Sequence, residues 1–320
     1  MAYRHIPAMP AEVLHYLNCR PGGTYVDGTL GGCGHARAIC EGMLPNGLLI
    51  GIDLDQDAVE NAKIILADYG DRIRLFHGNF AQLPDFLNEL AIPAVDGILL
   101  DLGLSLHHLE NSGRGFSFTK DEPLDMRMDV RTQDTAADLV NNLTETDLRD
   151  LFHTYGEERW AKQIARRIVR VRKDRRIRSS KQLAQVVLDA IPAKASAGRR
   201  IHPATRVFMA LRIAVNRELD VLENFLGFAV DLLNPSGRLC VLAFQSLEDR
   251  LVKQRFKTLE KGCICPPSYP KCVCGRKPLV RILTKKPARP SAAEVAVNPM
   301  ARSTRLRAVE KIGTKNERCA

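Results

Sequence analysis

The stretch 24–35, T-Y-V-D-G-T-L-G-G-C-G-H, restricts the fold more than any other part of the chain. Tyr25 and Val26 are β-formers leading into Asp27; Gly28, Gly31, Gly32 and Gly34 crowd the next positions, and helix formers follow over 36–40. That order reads as strand, tight turn, helix. Glycine is needed where backbone adopts positive φ or approaches a ligand closely, and the helix behind the turn aims free N–H groups back at it. A cofactor is expected there. The dinucleotide fingerprint is incomplete, because Gly32 and Gly34 supply G-x-G while Arg37 holds the third glycine position. A second apolar run at 48–53, L-L-I-G-I-D, ends in Asp53. A carboxylate about twenty residues past such a turn is where these folds hydrogen-bond a ribose. The two strands together point to a nucleoside-containing cofactor.

The alternation continues. After an N-terminal arm with Pro7 and Pro10 and a short helix over 11–17, a helix is predicted over 56–69 with Ala58, Ala62, Ile65 and Leu66 on one face. Strands follow at 73–77 and 97–102, the latter apolar enough for the middle of a parallel sheet. The pattern then changes: 104–134 reads as a long ordered loop and 136–225 as mostly helix, including one over 139–152. Trp160, Ile164, Ile168 and Val171 form an apolar stripe, with Arg159, Lys162, Arg166, Arg167, Arg170 and Lys173 on the opposite side. Strand character returns at 238–244 after the turn Asn234-Pro235-Ser236-Gly237, a helix is predicted over 248–259, and segments near 279–284 and 303–310 are expected to add antiparallel strands at the sheet edge. The architecture this predicts is α/β, a doubly wound sheet built from 1–110 and 216–311, interrupted by an inserted all-helical substrate-recognition domain at 111–215 and followed by a flexible tail at 312–320. Because ligands bind at the C-terminal edge of such sheets, the insertion is expected to bring its basic face over the cofactor.

The 47 Lys and Arg exceed the 37 Asp and Glu, a net charge of +10 concentrated between Arg159 and Arg212 and after Lys271. Such a surplus favours a polyanionic partner, nucleic acid first, over a merely solubilising surface. No apolar targeting segment opens the chain and no run is long enough to span a membrane, so a cytoplasmic protein is expected. Nine cysteines without an export signal argue against a disulfide framework. Four of them cluster as C-x-C-x₆-C-x-C at Cys263, Cys265, Cys272 and Cys274. A structural zinc and a Pro-constrained loop of reduced thiols both fit, and a spacing tighter than the usual C-x₂-C favours the loop, so no metal is assigned.

Among groups able to carry chemistry, Asp53 binds a ribose or caps the following helix, and its place after strand and glycine turn favours the ribose. Asp101, in D-L-G-L-S, ends the fourth strand and faces the same crevice unless it only forms a turn. Phe80 is a candidate to stack on adenine or to fill the core. His107 and His108 are loop histidines of no assigned role. The block 114–129, R-G-F-S-F-T-K-D-E-P-L-D-M-R-M-D, suits an ordered loop laced by Arg–carboxylate pairs, with aromatics free to hold a base, or else a structural clasp.

Taken together, V-D-G-T-L-G at Val26, V-D-G-I-L-L-D-L-G at Val95, R-G-F-S-F at Arg114, P-L-D-M-R-M-D at Pro123, Y-G-E-E-R at Tyr155, H-P-A-T-R at His202, A-L-R-I-A-V-N-R-E-L at Ala210, S-L-E-D-R-L-V-K at Ser246 and N-P-M-A-R-S at Asn298 resemble the ribosomal RNA small-subunit methyltransferase H family over nearly the whole chain. The resemblance implies a Rossmann-like class I fold dependent on S-adenosylmethionine, and N4-methylation of a 16S rRNA cytidine, the P-site cytidine conventionally numbered 1402. It implies a partner, 16S rRNA, within the small ribosomal subunit or its precursor, and leaves open monomer or homodimer. The family's cofactor contacts fall here on Cys33, Gly34, His35, Asp53, Phe80, Asp101 and His108. Cys33 stands where the family generally has glycine, His108 where it commonly has glutamine, and Gln245 where it usually has histidine. For the chemistry, Asp101, a nearby backbone carbonyl or Ser105 would accept the proton of the target amine. A nicotinamide dehydrogenase and a non-catalytic RNA-binding assembly factor are the rival readings.

Overall fold

The computed structural model describes residues 6–192, 201–266 and 268–313. The chain divides into two compact units, one formed by Met1–Gly103 with Asp220–Ala320, the other by Leu104–Leu219.

The first unit is built on a seven-stranded sheet: β1 (Thr24–Asp27), β2 (Leu48–Asp53), β3 (Ile73–His77), β4 (Val95–Asp101), β5 (Leu233–Ala243), β6 (Val280–Ile282) and β7 (Arg305–Lys311), in the order β3-β2-β1-β4-β5-β7-β6. The first five run parallel, and β7 lies antiparallel between β5 and β6. The order reverses between β1 and β4, as in the Rossmann-like doubly wound sheet expected from the sequence. Alternate residues feed two cores: Val26, Ile50, Ile98 and Leu100 pack with Phe225, Leu226 and Phe256 on one face, and Tyr25, Leu49, Leu99 and Leu242 with Leu17, Ile39 and Met43 on the other. Burial on both faces is why these strands read as unbroken apolar runs.

Two details differ from the sequence reading. The turn Asn234-Pro235-Ser236-Gly237 lies inside β5 as an irregularity, with Ser236 at φ 65° and a register shift against Val95 and Gly97. The helix predicted over 56–69 ends at Ile65 and passes into a 3₁₀ segment, Ala67–Arg72, with Gly70 at φ 53°. That end leaves Ile65 44% exposed, while Val59 takes the inward position beside Ala58 and Ala62. The tail expected over 312–320 lies, from residue 314 onward, outside the described residues.

The second unit is helical, with Leu106–Glu110, Ala136–Asn142, Glu145–Thr154, Ala161–Asp174, Ser180–Ala190 and Thr205–Asn216 around a core that includes Phe152, Ile164, Ile168, Leu183, Val187 and Leu211. It starts and ends nearer the sheet strands than 111 and 215. Leu104 and Leu109 pack against its core, and Glu218 holds Arg212 with two hydrogen bonds of 2.7 and 2.8 Å. The helix predicted over 139–152 is two helices, because Thr144 and Asp147 close a capping box that starts a new one. Among the described residues no helix is long and apolar enough to cross a membrane.

The block 114–129 is a clasp within this helical unit. Arg114 donates to the carbonyls of Arg127 and Met128 at 3.0 and 2.9 Å, Arg127 makes a bidentate pair with Asp125, and Asn216 accepts from Met128 N–H and donates to the Met126 carbonyl. Its aromatics are engaged rather than free. Phe116 is buried against His108, and Phe118 stacks on His202 with ring centroids 4.4 Å apart.

Candidate active site

Three parallel strands of the first unit end in aspartate, and the pairing register sets them on one edge. Asp27 is opposite Gly51 of β2 and Leu99 of β4, so Asp53 and Asp101 lie two residues farther along their strands on either side of it. Asp53 and Asp101 both act on the charge of Asp27, as groups gathered at one edge must. The glycine turn ties the edge together. Gly31 N–H donates to Asp53 Oδ2 at 2.8 Å, and Asp101 N–H donates to Thr29 Oγ1 at 2.6 Å. The second Asp53 oxygen accepts from Asp55 N–H at 2.8 Å. Asp53 therefore shapes the turn, and with about four lone-pair sites it retains capacity for a ribose hydroxyl.

The matched triplet opens the helix behind the turn. Cys33, buried, is its N-cap in the left-handed region at φ 63°; Gly34 begins the helix beneath the Pro7 ring; His35, buried, points its Nε2 to within 3.5 Å of Asp101 Oδ2. At that distance the contact is charge–charge attraction rather than a well-aligned hydrogen bond. Burial works against the charged imidazole, but the Asp101 and Asp27 carboxylates outweigh it and raise the His35 pKa. Phe80 follows β3, and its Cβ would be 3.1 Å from any Cβ placed on Gly28, so it packs closely against the first glycine of the turn. Its ring meets Phe225 edge-on at 5.2 Å.

Burial pushes the carboxyl groups of Asp27 and Asp53 up to about 6. Among the described residues, Asp27 Oδ2, Asp101 Oδ1 and His35 Nδ1 are buried with no hydrogen-bond partner. Buried polar atoms are rarely left so in a folded protein, and a polar ligand with hydroxyl and amino groups would satisfy them. The donor and acceptor set at this edge thus fits S-adenosylmethionine.

Ser105 and His108 belong to the helical unit. There Ser105 caps the helix Leu106–Glu110, accepting from His108 N–H at 3.2 Å, while its Oγ is 3.0 Å from His108 Nδ1. Gln245, in the first unit, caps the helix Ser246–Lys261 and donates to Glu248 at 2.9 Å. Sequence reasoning overlooked Asp27 and Thr29. The signal for Asp27 was present, since it ends a strand before a glycine just as Asp101 ends one before Leu102-Gly103.

In the helical unit, Lys162, Gln163, Arg166, Arg167, Arg170 and Ala190 line a groove of about 420 Å³. Arg167 reaches Asp189 at 3.2 Å and Arg166 reaches Glu145 at 3.6 Å, both exposed pairs. Among the described residues, Lys162 and Arg170 have no carboxylate within ion-pair distance. Arg159 precedes the helix, its guanidinium over the Trp160 ring at 5.6 Å.

The sequence profile of the MraW methylase family matches residues 2–312. The chain is 55% identical over 312 residues to the ribosomal RNA small subunit methyltransferase H of Desulforapulum autotrophicum, covering 98% of this chain and 100% of that protein. It is similarly 55% identical to the protein of that name from Desulfosudis oleivorans, over 98% and 100%. The corresponding protein of Geobacter sulfurreducens is 53% identical, over 98% and 100%. The chain belongs to the MraW methylase family and is an S-adenosylmethionine-dependent methyltransferase.

Proposed function

We propose that this protein methylates N4 of a cytidine in 16S rRNA, the P-site cytidine, working in the cytoplasm on the small ribosomal subunit or its precursor. Membership in the family, with relatives named for the small-subunit RNA, supports rRNA methylation; the cytidine amine as target is what the resemblance to the small-subunit methyltransferase H family implies, and the carboxylate edge is compatible with it. Its central observation is Asp101, a half-buried strand-end carboxylate with one oxygen facing His35 and the other, inaccessible to solvent, without a protein partner among the described residues.

The exocyclic amine of cytosine delocalises its lone pair into the ring and is a weak nucleophile, so catalysis consists mainly of positioning. Bound S-adenosylmethionine supplies an electrophilic methyl group on a sulfonium. Asp53 would accept ribose hydroxyls, Phe80 and the glycine turn would form the bed for the nucleoside, and Cys33, Gly34 and His35 would add further contacts to the cofactor. Asp101 accepts a hydrogen bond from the amine and draws off its proton as the N–C bond forms, with His35 holding the carboxylate in place. Ser105 is the weaker candidate for that role because its hydroxyl already serves His108 and a helix end. The target base has to leave its stack, which suits a single-stranded or distorted RNA site.

Methyl transfer from labelled S-adenosylmethionine to 16S rRNA, followed by nucleoside mass spectrometry, tests the reading. Asp101→Ala is expected to lower the rate by about 10²–10⁴-fold, the usual worth of a general base, with an unchanged circular dichroism spectrum. Full activity in that variant, or a labelled nucleoside other than an N4-methylated cytidine, refutes it.

A further inference from the structure

We propose that Cys263, Cys265, Cys272 and Cys274 form a tetrathiolate zinc site that holds together the segment joining the helix Ser246–Lys261 to β6. Their four Sγ atoms all lie within 4.8 Å of one another. The separations are 3.4 Å for Cys263–Cys272, 3.6 Å for Cys272–Cys274, 3.8 Å for Cys263–Cys274 and 4.0 Å for Cys265–Cys272. A tetrahedron of sulfurs at the usual Zn–S length of about 2.3 Å has edges of about 3.8 Å. The observed distances bracket that value. All of them are far longer than a disulfide bond of about 2.05 Å.

The surrounding segment has no other interior. Among its described residues between 263 and 279, only Cys263, Cys265 and Cys274 are half-buried, and the others are exposed. Ile264, Tyr269 and Val273 are 53%, 54% and 73% exposed, so no apolar cluster organises the loop. Three of the four thiols are partly withdrawn from solvent, with Cys272 exposed, while the apolar side chains face solvent, which is the arrangement of a metal knuckle and not of a hydrophobic turn. The backbone supports it as well. Val273 N–H points at Cys265 Sγ at 3.4 Å, a contact that stabilises thiolate, and the base of the loop is closed by Leu279 N–H donating to the Leu259 carbonyl at 2.9 Å. Gly262, at φ 68°, packs so tightly that an added Cβ would be 2.4 Å from the Lys277 backbone.

The tight C-x-C spacing, which counts against a zinc knuckle when the sequence is viewed alone, is accommodated because the two C-x-C pairs, six residues apart in one closed loop, converge their sulfurs on a common point. Zinc with four thiolates carries a charge of about −2. Lys261, Lys271, Arg276 and Lys277 surround it in sequence, and this offsets the excess. Soft thiolate ligands in a tetrahedral S₄ set select zinc or iron, and a reducing cytoplasm favours the redox-inert ion.

The test uses the full chain purified under reducing conditions without chelator. Elemental analysis is expected to find about one zinc per chain, with the four cysteines shielded from alkylation until the metal is removed. Cys265→Ser combined with Cys272→Ser is expected to lower zinc to below about a tenth per chain, whereas Cys19→Ser leaves it unchanged. Should the double variant fail to fold, Co²⁺ exchanged into the unaltered protein decides. Intense tetrahedral thiolate–cobalt absorption supports the site, and its absence overturns it. Iron as the resident metal, a disulfide among these cysteines, or free thiols that take up no added Zn²⁺ would each overturn it too.

Discussion

Asp27 shows how the edge stores free energy. It is 1% exposed, its Oδ1 accepts from Thr29 N–H at 3.1 Å, and burial raises its pKa from 3.8 to about 6. The folded chain therefore keeps a proton on this group up to about pH 6, while the unfolded chain gives it up near 3.8. Within that window the folded state holds more protons, so stability falls as pH rises, by about 3 kcal/mol in all at 1.36 kcal/mol per unit. Above the window the loss is complete and constant. Asp27→Asn keeps the acceptor and removes the charge, so at pH 7.5 the variant is expected to melt a few degrees higher than the parent, with the gain shrinking towards pH 4.5. A variant no more stable at pH 7.5, by calorimetry at both pH values, would mean that the ionised carboxylate is not a strained group. The same variant is expected to lose methyl transfer, since charged groups at a site are commonly kept at the expense of stability. Strand-end aspartates were legible in the sequence as a residue pattern. Their burial, and the pairing of Phe116 and Phe118 with histidines, were not, because each depends on residues far away in the chain.

At the level of elements, β7 enters between β5 and β6 and is tied to the helix Ser246–Lys261 by two arginines. Arg307 Nε donates to Asp249 Oδ1 at 2.6 Å and Arg305 Nη1 donates to Oδ2 at 3.2 Å, with Arg307 only 9% exposed. Removing one partner of a buried pair strands the other charge. Asp249→Ala is thus expected to destabilise the protein by about 3 kcal/mol, read as a lower urea midpoint. Asp150→Ala, which breaks the exposed pair with Arg149, is expected to leave the midpoint where it was. Equal midpoints for the two variants would show that the β7 contact carries no special weight. The parallel strands β1 to β4 could be placed from sequence because a strand buried on both faces is a continuous apolar run bounded by turn residues. Both antiparallel strands were expected at the edge, but the insertion of β7 between its neighbours was not, since strand order follows from tertiary packing. Nor was the break at Leu143 and Thr144 visible, because apolar periodicity runs across it and only the reciprocal bond between Thr144 and Asp147 marks a new helix start.

For the molecule as a whole, charge separates the units. The helical unit, Leu104–Leu219, carries 22 Lys and Arg against 15 Asp and Glu, a net +7 of the chain's +10. From Arg159 to Lys181 eleven cations face Asp174 alone. An unbalanced run of this length repels itself unless a polyanion or solvent ions screen it. Four cations of that run, Lys162, Arg166, Arg167 and Arg170, line one groove. If those side chains meet RNA phosphates, binding releases condensed counterions, and log K falls with log[salt] at a slope of about −0.7 for each contact to a single strand. Lys162→Ala combined with Arg170→Ala removes the two cations of the groove that have no carboxylate within ion-pair distance among the described residues. The double variant is expected to flatten the slope by about 1.4 and to weaken binding of a 16S rRNA fragment about tenfold at low salt, regardless of which cytidine-containing fragment is used. Its affinity for S-adenosylmethionine is expected to stay at the parental value, because the carboxylate edge belongs to the other unit. Filter binding over a series of salt concentrations, with cofactor titration alongside, measures both. An unchanged slope would mean that this face is only solvated and that the RNA is gripped elsewhere. A lost cofactor affinity would mean that the substitutions disturb the fold rather than an RNA contact.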